Sequence, residues 1–161
     1  WIAAEMAVSC THQFGRMILV APAGIRPPEG EIMDMFVIRA RAYLEASVYE
    51  PQITREYEQL YGGSATPEQF ESWEEARAEA ARLAWQPYMY NPSLGPLLTG
   101  VTDVPTLCIW GEQDRIIPVS TASAYSNFIP QSKLVILDNC GHRPEIEYPT
   151  EFLDEVHKFL T

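Results

Sequence analysis

Two short apolar runs near the end of the chain, each followed by a glycine-containing loop, most constrain what it can fold into. Leu107–Trp110 leads into a loop that carries Asp114. Leu134–Leu137 leads into a loop that carries His142. Each run is too short for a helix and has the continuous apolar character of a strand covered on both faces. Because a helical pattern separates them, we predict an α/β fold with a parallel sheet and right-handed crossovers.

A third strand and three helices extend this pattern. Met17–Val20 is another continuous apolar run, and the small residues of Trp1–Ser9 let a helix lie close against a sheet. We predict further helices at Thr121–Phe128 and Pro149–Leu160. The second of these has one apolar stripe, formed by Phe152, Val156, Phe159 and Leu160. Together the elements predict about three parallel strands with flanking helices.

The stretch from residue 29 to residue 100 has a different, helical character. Thr66 and Gln69 form a capping-box pattern that predicts the start of a helix, and Pro87 limits its far end. We predict an earlier helix over Glu31–Glu45 as well. The later helix carries apolar residues three or four positions apart, namely Phe70, Trp73, Ala76, Ala80 and Leu83. We interpret the stretch as a helical insertion into the α/β pattern.

Asp114 and His142 are the residues whose chemistry this arrangement would bring together. Each follows the carboxyl end of a strand, the edge where active sites of open α/β sheets lie. Either residue alone would be interpreted as structural, Asp114 as a turn former and His142 as a surface residue. Their joint placement instead predicts an acid–imidazole pair, in which a buried acid holds the ring in one tautomer. We expect the side chains to meet, with His142 nearer the solvent.

A serine on a Gly-x-Ser-x-Gly turn would complete this pair, but the 161 residues contain no such motif. The order of acid before histidine nevertheless resembles the α/β-hydrolase superfamily. Trp1–Ala7 resembles the helix after the nucleophile turn, and Phe14–Gly24 resembles the strand that follows it. The resemblance implies that the serine would lie a few residues before Trp1. A tryptophan at the first position also predicts that the chain does not begin at a natural start.

The resemblance implies a partial α/β-hydrolase fold, with a core formed by residues 1–28 and 101–161 and a helical cap at residues 29–100. It implies hydrolysis of a small apolar ester or ketone, by cleavage of carboxylic esters or of carbon–carbon bonds in ring-cleavage products, without a cofactor. The upstream serine would attack the carbonyl, His142 would relay the proton, and Asp114 would orient the ring. Without that serine, we expect absent or very weak ester hydrolysis by this chain alone.

Apolar residues of the cap are candidates for the substrate pocket. A pocket for an apolar acyl or aromatic group could be formed by Met33, Phe36, Tyr88 and Met89. The competing interpretation is that these residues pack the cap against itself, as such stripes commonly do.

Three alternatives to the serine mechanism stay open from the sequence. The chain could be a non-catalytic α/β module that binds an apolar ligand or a partner under its cap. The Asp114–His142 pair could activate water directly, without a covalent intermediate. Cys140, two residues before His142, could supply a thiol nucleophile, although such a thiol needs an imidazole within hydrogen-bond reach.

Composition and charge restrict the partners. The net charge of -11 argues against nucleic acid and anionic membranes, which would repel the chain. No apolar run approaches the length of a membrane span. The three cysteines, Cys10, Cys108 and Cys140, are widely spaced, which predicts neither a metal site nor a disulfide framework and favours a reducing, cytoplasmic location.

The strand at Met17–Val20 predicts an assembly. In the superfamily the strand that bears the nucleophile lies beside it, so its absence would leave a row of unpaired backbone groups on an apolar strand. Such an edge is a template for pairing with another chain. We therefore expect a homodimer or higher oligomer joined through this exposed sheet edge.

Overall fold

The computed structural model describes all 161 residues, Trp1–Thr161, as a three-stranded sheet with eight helices around it. The strands are β1 (Met17–Val20), β2 (Thr106–Gly111) and β3 (Ser132–Leu137). A 3-10 turn covers Thr11–Gln13. The helices, in chain order, are α1 (Ile2–Ser9), α2 (Ala40–Ala46), α3 (Arg55–Tyr61), α4 (Pro67–Ala84), α5 (Leu94–Leu98), α6 (Ser120–Phe128), α7 (Pro144–Glu147) and α8 (Pro149–Leu160).

The sheet is parallel throughout, with β2 between β1 and β3. Thr106 is level with Met17 on one side and with Ser132 on the other, so the three strands start together. Every residue of β2 is buried, as its unbroken apolar run predicts for a strand covered on both faces. β3, at one edge, is only half-buried. The predicted α/β fold with about three parallel strands is confirmed.

The main core lies between the sheet and helices α1, α5 and α6. Leu94 and Leu98 of α5 are fully buried there, together with Ala4 and Ala7 of α1. The alanines leave room for α5 to pack closely on α1, whereas the sequence predicted that the small residues would lie against the sheet. Truncating a fully buried leucine to alanine costs about 2–5 kcal/mol, so α5 contributes substantially to holding the core together.

Three helices predicted from the sequence, α1, α6 and α8, are confirmed to within one residue at their ends. In α8 the predicted apolar stripe faces the molecule through Phe152, Val156 and Phe159, which are half-buried. Leu160, at the end of the stripe, is 49% exposed. Leu160, the last residue of α8, therefore contributes less to this packing than the other three.

The helix predicted over Glu31–Glu45 is wrong for most of its length, because only α2 is helical in that region. Before α2, backbone N–H groups donate hydrogen bonds to residues distant in sequence instead of forming helical hydrogen bonds. The N–H of Met33 donates to the carbonyl of Ile116 at 2.9 Å, and the N–H of Met35 donates to the hydroxyl of Tyr88 at 2.9 Å. These partners are distant in sequence, so the apolar spacing that suggested a helix carried no information about them.

The helix that begins after Thr66 is confirmed as α4, and it ends before Pro87 as expected. The Thr66 hydroxyl accepts from the N–H of Gln69, and the Gln69 side chain accepts from the N–H of Thr66, which is the complete capping box. The apolar residues of α4 do not form a closed core. Phe70 is 45% exposed and Leu83 is 76% exposed.

The division into a core and a cap at residues 29–100 stays a prediction. Within that range, α5 belongs to the main core by its packing, because Leu94 and Leu98 are fully buried in it. A second, smaller cluster joins Val48 and Tyr57 to Ile146 of α7. None of the eight helices combines the length and the apolar character that crossing a membrane requires.

Candidate active site

Asp114 lies in the loop after β2, which we call the acid loop (residues 112–119), and its carboxylate is completely buried. Its Oδ1 accepts hydrogen bonds from the backbone N–H groups of Ile116 and Ile117, at 2.8 and 2.9 Å. The indole N–H of Trp110, in β2, donates to the Ile117 carbonyl at 3.0 Å and ties the loop to the sheet. With Oδ1 fixed by two amides, Oδ2 is left to face a second partner.

His142 is that partner, in the loop after β3 that we call the histidine loop (residues 138–143). Its Nδ1 lies 2.9 Å from Oδ2 of Asp114. The His142 side chain is 18% exposed and that of Asp114 is 0% exposed. The predictions that these side chains meet, and that His142 is nearer the solvent, are therefore confirmed.

The arrangement leaves Nε2 of His142 as the reactive nitrogen. The Asp114 carboxylate can only accept, so Nδ1–H donates a hydrogen bond to Oδ2, which assigns the neutral ring to the Nδ1–H tautomer. Nε2 has no hydrogen-bond partner in the chain, and it is not among the buried polar atoms that lack one, so it reaches solvent. A ring held in this way can take a proton from a nucleophile or from water.

Two glycines allow close backbone contacts of the histidine loop with its neighbours. A Cβ on Gly111, the last residue of β2, would lie 2.0 Å from the carbonyl oxygen of Gly141. A Cβ on Gly141 would lie 2.9 Å from the backbone nitrogen of Tyr49. Such distances leave no room for a Cβ, so Gly111 permits the contact between the end of β2 and the histidine loop, and Gly141 permits the contact between that loop and residues 47–49.

The segment of residues 47–49, which follows α2, packs directly against both loops. The His142 N–H donates to the Ser47 carbonyl at 2.8 Å. The Arg115 guanidinium of the acid loop donates to the carbonyl of Val48 at 2.5 Å and to that of Tyr49 at 3.3 Å. The 47–49 segment thus contributes backbone carbonyls to the surroundings of His142.

Glu147 forms a further link that sequence reasoning missed. Its carboxylate accepts one hydrogen bond from the N–H of Gly141 and one from the N–H of Tyr49, each at 2.7 Å. Arg115 was missed as well. Neither residue belongs to an apolar repeat or a motif, and their partners become neighbours only when the loops meet, so the sequence carried no signal for them.

Tyr43 of α2 is another neighbour of the pair that the sequence did not indicate. Burial raises the pKa of its phenol to about 12, and the negative charge of Asp114 adds to the shift. The hydroxyl therefore stays protonated and is available as a hydrogen-bond donor near the acid–imidazole pair.

Cys140 is fully buried and does not have the surroundings of a nucleophile. Its Sγ lies 3.7 Å from Oε1 of Glu147. Burial, and then the negative charge of Glu147, raise the pKa of the thiol far above its ordinary value. Because the thiolate is the reactive form, this environment disfavours the thiol alternative.

Three of the four predicted pocket residues, Met33, Phe36 and Tyr88, lie together. The Phe36 ring packs edge-on against the Tyr88 ring, with centroids 5.7 Å apart. The Tyr88 hydroxyl donates to the Met33 carbonyl at 3.1 Å. Met89 has a positive φ of 56°, and its carbonyl accepts from the Gly24 N–H at 2.9 Å. Their binding of a substrate stays a prediction.

The chain contains no group of three or more histidine, cysteine, aspartate or glutamate side chains placed to hold a metal ion. His12, in the 3-10 turn, and His157, on α8, are both exposed and distant in sequence from the pair. The chemistry of this edge of the sheet is that of a buried carboxylate and one oriented imidazole.

Comparison with protein families gives one match along nearly the whole chain. The model of the alpha/beta hydrolase family matches residues 1–155. This range contains all three strands and both loops of the acid–imidazole pair.

Individual relatives are similar over parts of the chain. A 2-hydroxy-6-oxo-6-(2'-aminophenyl)hexa-2,4-dienoic acid hydrolase of Metapseudomonas resinovorans is 38% identical over 85 residues, which cover 53% of this chain and 29% of that protein. Lipase 1 of Psychrobacter immobilis is 34% identical over 56 residues, which cover 35% of this chain and 18% of that protein.

Among solved structures, a meta-cleavage product hydrolase from Pseudomonas fluorescens IP01 superimposes with a TM-score of 0.72 at 22% identity. The match covers 98% of this chain and 60% of that one. The likeness establishes the fold. The chain spans less than two thirds of the length of each of these three proteins.

Proposed function

The chain belongs to the alpha/beta hydrolase family, and from this premise we propose that Asp114 and His142 are the acid and the base of a hydrolase. Its substrates would be small apolar carboxylic esters, or ketones whose carbon–carbon bond is cleaved. The observation that carries the proposal is the 2.9 Å contact between Nδ1 of His142 and the buried Oδ2 of Asp114, with Nε2 left without a partner.

In the proposed reaction, Nε2 of His142 takes the proton of a serine hydroxyl while the serine oxygen attacks the substrate carbonyl. The imidazolium that forms is stabilised by the Asp114 carboxylate, and it then gives the proton to the leaving group. Water hydrolyses the acyl-enzyme in a second cycle of the same proton transfers. Backbone amides would stabilise the oxyanion in both steps.

We propose that the nucleophile is a serine encoded before Trp1. The 161 residues contain no Gly-x-Ser-x-Gly, and no side chain of the chain hydrogen bonds to Nε2 of His142. Helix α1 is the first element, and its resemblance to the helix after the nucleophile turn supports this location. The chain alone would then retain weak ester hydrolysis at most.

Solvent access at Nε2 supports a second candidate, direct activation of water by the Asp114–His142 pair. This mechanism would give slow ester hydrolysis without a covalent intermediate. The two mechanisms differ in their kinetics, because only the serine mechanism accumulates an acyl-enzyme in a burst.

Hydrolysis of a short p-nitrophenyl ester tests the role of His142. We expect slow turnover by the 161-residue chain without a burst, and a lower rate in His142→Ala. His157→Ala, at an exposed position on α8, is the matched control and should keep the wild-type rate. A measurable rate that is equal in wild type and His142→Ala would contradict the proposal and favour the non-catalytic binding module. No turnover by either form agrees with a nucleophile encoded before Trp1. A burst from this chain would place the nucleophile within it.

We also propose that the apolar part of a substrate lies against Met33, Phe36, Tyr88 and Met89. The edge-on packing of Phe36 on Tyr88 supports this, because it forms an aromatic surface in the insertion rather than in the main core. The alternative is that this cluster only packs the insertion against itself. A loss of affinity for aromatic esters in Phe36→Ala, with no change for acetyl esters, would distinguish the two.

We further propose that the 161-residue chain by itself forms a homodimer joined along β1. In a longer protein with the nucleophile-bearing strand, that strand would cover this edge instead. In the sheet β1 pairs only with β2, so its other edge has no strand partner. Beside it, α1 exposes 67% of Ile2 and 52% of Met6. These residues line an apolar cavity of about 410 Å³ that reaches Leu83 of α4. The unpaired edge and the adjacent apolar surface support pairing with a second copy.

A further inference from the structure

Glu147, the last residue of α7, connects the histidine loop to the 47–49 segment through a single carboxylate. Oε1 accepts from the N–H of Gly141 at 2.7 Å, and Oε2 accepts from the N–H of Tyr49 at 2.7 Å. Hydrogen bonds to an ionised acceptor are roughly twice as strong as neutral ones. The carboxylate thus fixes the position of the residue before His142 relative to the segment that His142 itself contacts.

Other contacts in this region hold the 47–49 segment and Cys140, but the acceptor for the Gly141 N–H is Glu147. Gln113 of the acid loop donates its N–H to the Cys140 carbonyl at 2.9 Å, and its Oε1 accepts from the Cys140 N–H at 3.1 Å. Arg115 binds carbonyls of the segment from the acid loop. On the histidine loop, only the His142 N–H, which donates to the Ser47 carbonyl at 2.8 Å, makes a backbone bond to the segment. Gly141 has no side chain with which to hold its own position. Removing the Glu147 carboxylate would therefore leave the Gly141 N–H, immediately before the imidazole, without its acceptor.

We propose that Glu147 is a positioning residue for His142, whose carboxylate holds the histidine loop against the 47–49 segment so that Nδ1 faces Asp114. The inference rests on the proposed function, in which His142 is the base. Glu147 does not touch the reacting atoms. It acts through the N–H of Gly141, one residue before the imidazole.

The surroundings of Glu147 support a role beyond packing. Burial raises the pKa of its carboxyl above the ordinary value, although hydrogen bonds from Tyr49 and Gly141 oppose the shift. An apolar side chain could fill the same space without the desolvation of a carboxylate. Carboxyl groups with perturbed pKa values cluster near functional sites. Glu147 lies beside such a site, because it accepts a hydrogen bond from Gly141 of the histidine loop.

The wild-type chain provides the first test. We expect scalar couplings across the hydrogen bonds from the amide nitrogens of Gly141 and Tyr49 to the carboxylate carbon of Glu147, measured by NMR. Detection of both couplings would support the proposed arrangement. The absence of both would overturn the proposal without the need for any variant.

The second test compares Glu147→Gln with Glu151→Gln, the same change at an exposed position of α8. A glutamine has one acceptor oxygen, so one of the two amides loses its partner. We expect hydrogen exchange at Gly141 or Tyr49 to become about tenfold faster or more in Glu147→Gln. Nitrogen-15 signals of His142 should move towards a mixture of tautomers, while Glu151→Gln should match the wild type.

A purely structural role would lower the unfolding temperature of Glu147→Gln but leave the His142 tautomer unchanged, and that result would overturn the proposal. If Glu147→Gln does not fold, Glu147→Asp provides the same measurements, because it keeps the charge and is too short to reach both amides. None of these measurements uses turnover. A failure of the hydrolase proposal would therefore appear in the ester assay, and a failure of this inference in the NMR signals.

Discussion

At the scale of single residues, the bond between Asp114 and His142 determines which ring nitrogen can accept a proton. Oδ1 of Asp114 is already occupied by two backbone N–H groups, so the carboxylate cannot rotate to another partner without losing them. Oδ2 then accepts from Nδ1 of His142 at 2.9 Å. The acid loop therefore controls the tautomer of the imidazole, and through it the availability of Nε2.

Asp114→Asn should disturb this tautomer while leaving the fold intact. An asparagine can donate to Nδ1 through its amide, which would place the ring proton on Nε2 and remove the base. Nitrogen-15 NMR of His142 should show the change, and turnover by any form that contains the nucleophile should fall about 10⁴-fold. Asp138→Asn, at an exposed position after β3, is the matched control. An unchanged tautomer in Asp114→Asn would contradict the account.

The three cysteines should differ sharply in reactivity. Burial raises the pKa of the Cys108 thiol to about 12 and raises that of Cys140 further, whereas Cys10 is only half-buried. We expect one thiol per folded chain to react with a disulfide reagent at mildly alkaline pH, and three after denaturation. Cys10→Ser should remove the fast reaction. Rapid labelling of Cys140 in the folded chain would show that its surroundings are more open than the structure indicates.

At the scale of elements, local patterns predicted the parts of the fold whose partners lie within the same element. β2 and α6 were predictable because an unbroken apolar run and a helical repeat each reflect their own burial. The segment before α2 was not, because Met33 donates its N–H to Ile116, more than eighty residues away. The acid–imidazole pair was predictable from its place after two strands. Glu147 was not, because its contacts form only when the histidine loop meets residues 47–49.

The packing of α8 on β3 includes an ion pair with a predictable pH dependence. Nζ of Lys133 lies 2.8 Å from Oε2 of Glu155, and Nζ of Lys158 lies 2.7 Å from Oε1. The hydrogen bond from Lys133, and then that from Lys158, lower the pKa of Glu155 to about 2. A lowered carboxyl pKa stabilises the fold above the ordinary value of 4.5, and this contribution disappears as the pH falls to about 2.

Glu155→Gln should therefore unfold at a lower temperature than the wild type at neutral pH and low salt. The unfolding temperatures of the two proteins should become equal near pH 2. Added salt should reduce the difference, because the pair faces solvent. Thermal unfolding followed by circular dichroism measures both effects, with Glu151→Gln as the control on the same helix. A difference that persists unchanged in acid would mean that Glu155 acts through packing and not through charge.

At the scale of the whole molecule, the sheet has an unpaired edge at β1, and the adjacent α1 has an exposed apolar face. The sequence predicted the edge only through a family resemblance, since no local pattern distinguishes an edge strand from a central one when both are apolar runs. The chain also spans only part of the length of its relatives.

Light scattering across a dilution series tests the proposed dimer. We expect a mass of twice 18.2 kDa at high concentration and dissociation on dilution. Met6→Glu should favour the monomer, because it places a charge on the exposed face of α1 beside the unpaired edge. Leu153→Glu, at a similarly exposed position on α8, should leave the mass unchanged. A folded monomer at every concentration would contradict the proposal.

The stoichiometry of labelling by a fluorophosphonate probe tests the central claim most directly, because this probe reacts with serines that an imidazole activates. The chain should be expressed together with the coding sequence that precedes Trp1 and analysed by mass spectrometry. The account predicts one label per chain on a serine before Trp1, lost in His142→Ala and kept in His157→Ala. A label within the 161 residues, or equal labelling in His142→Ala, would contradict it.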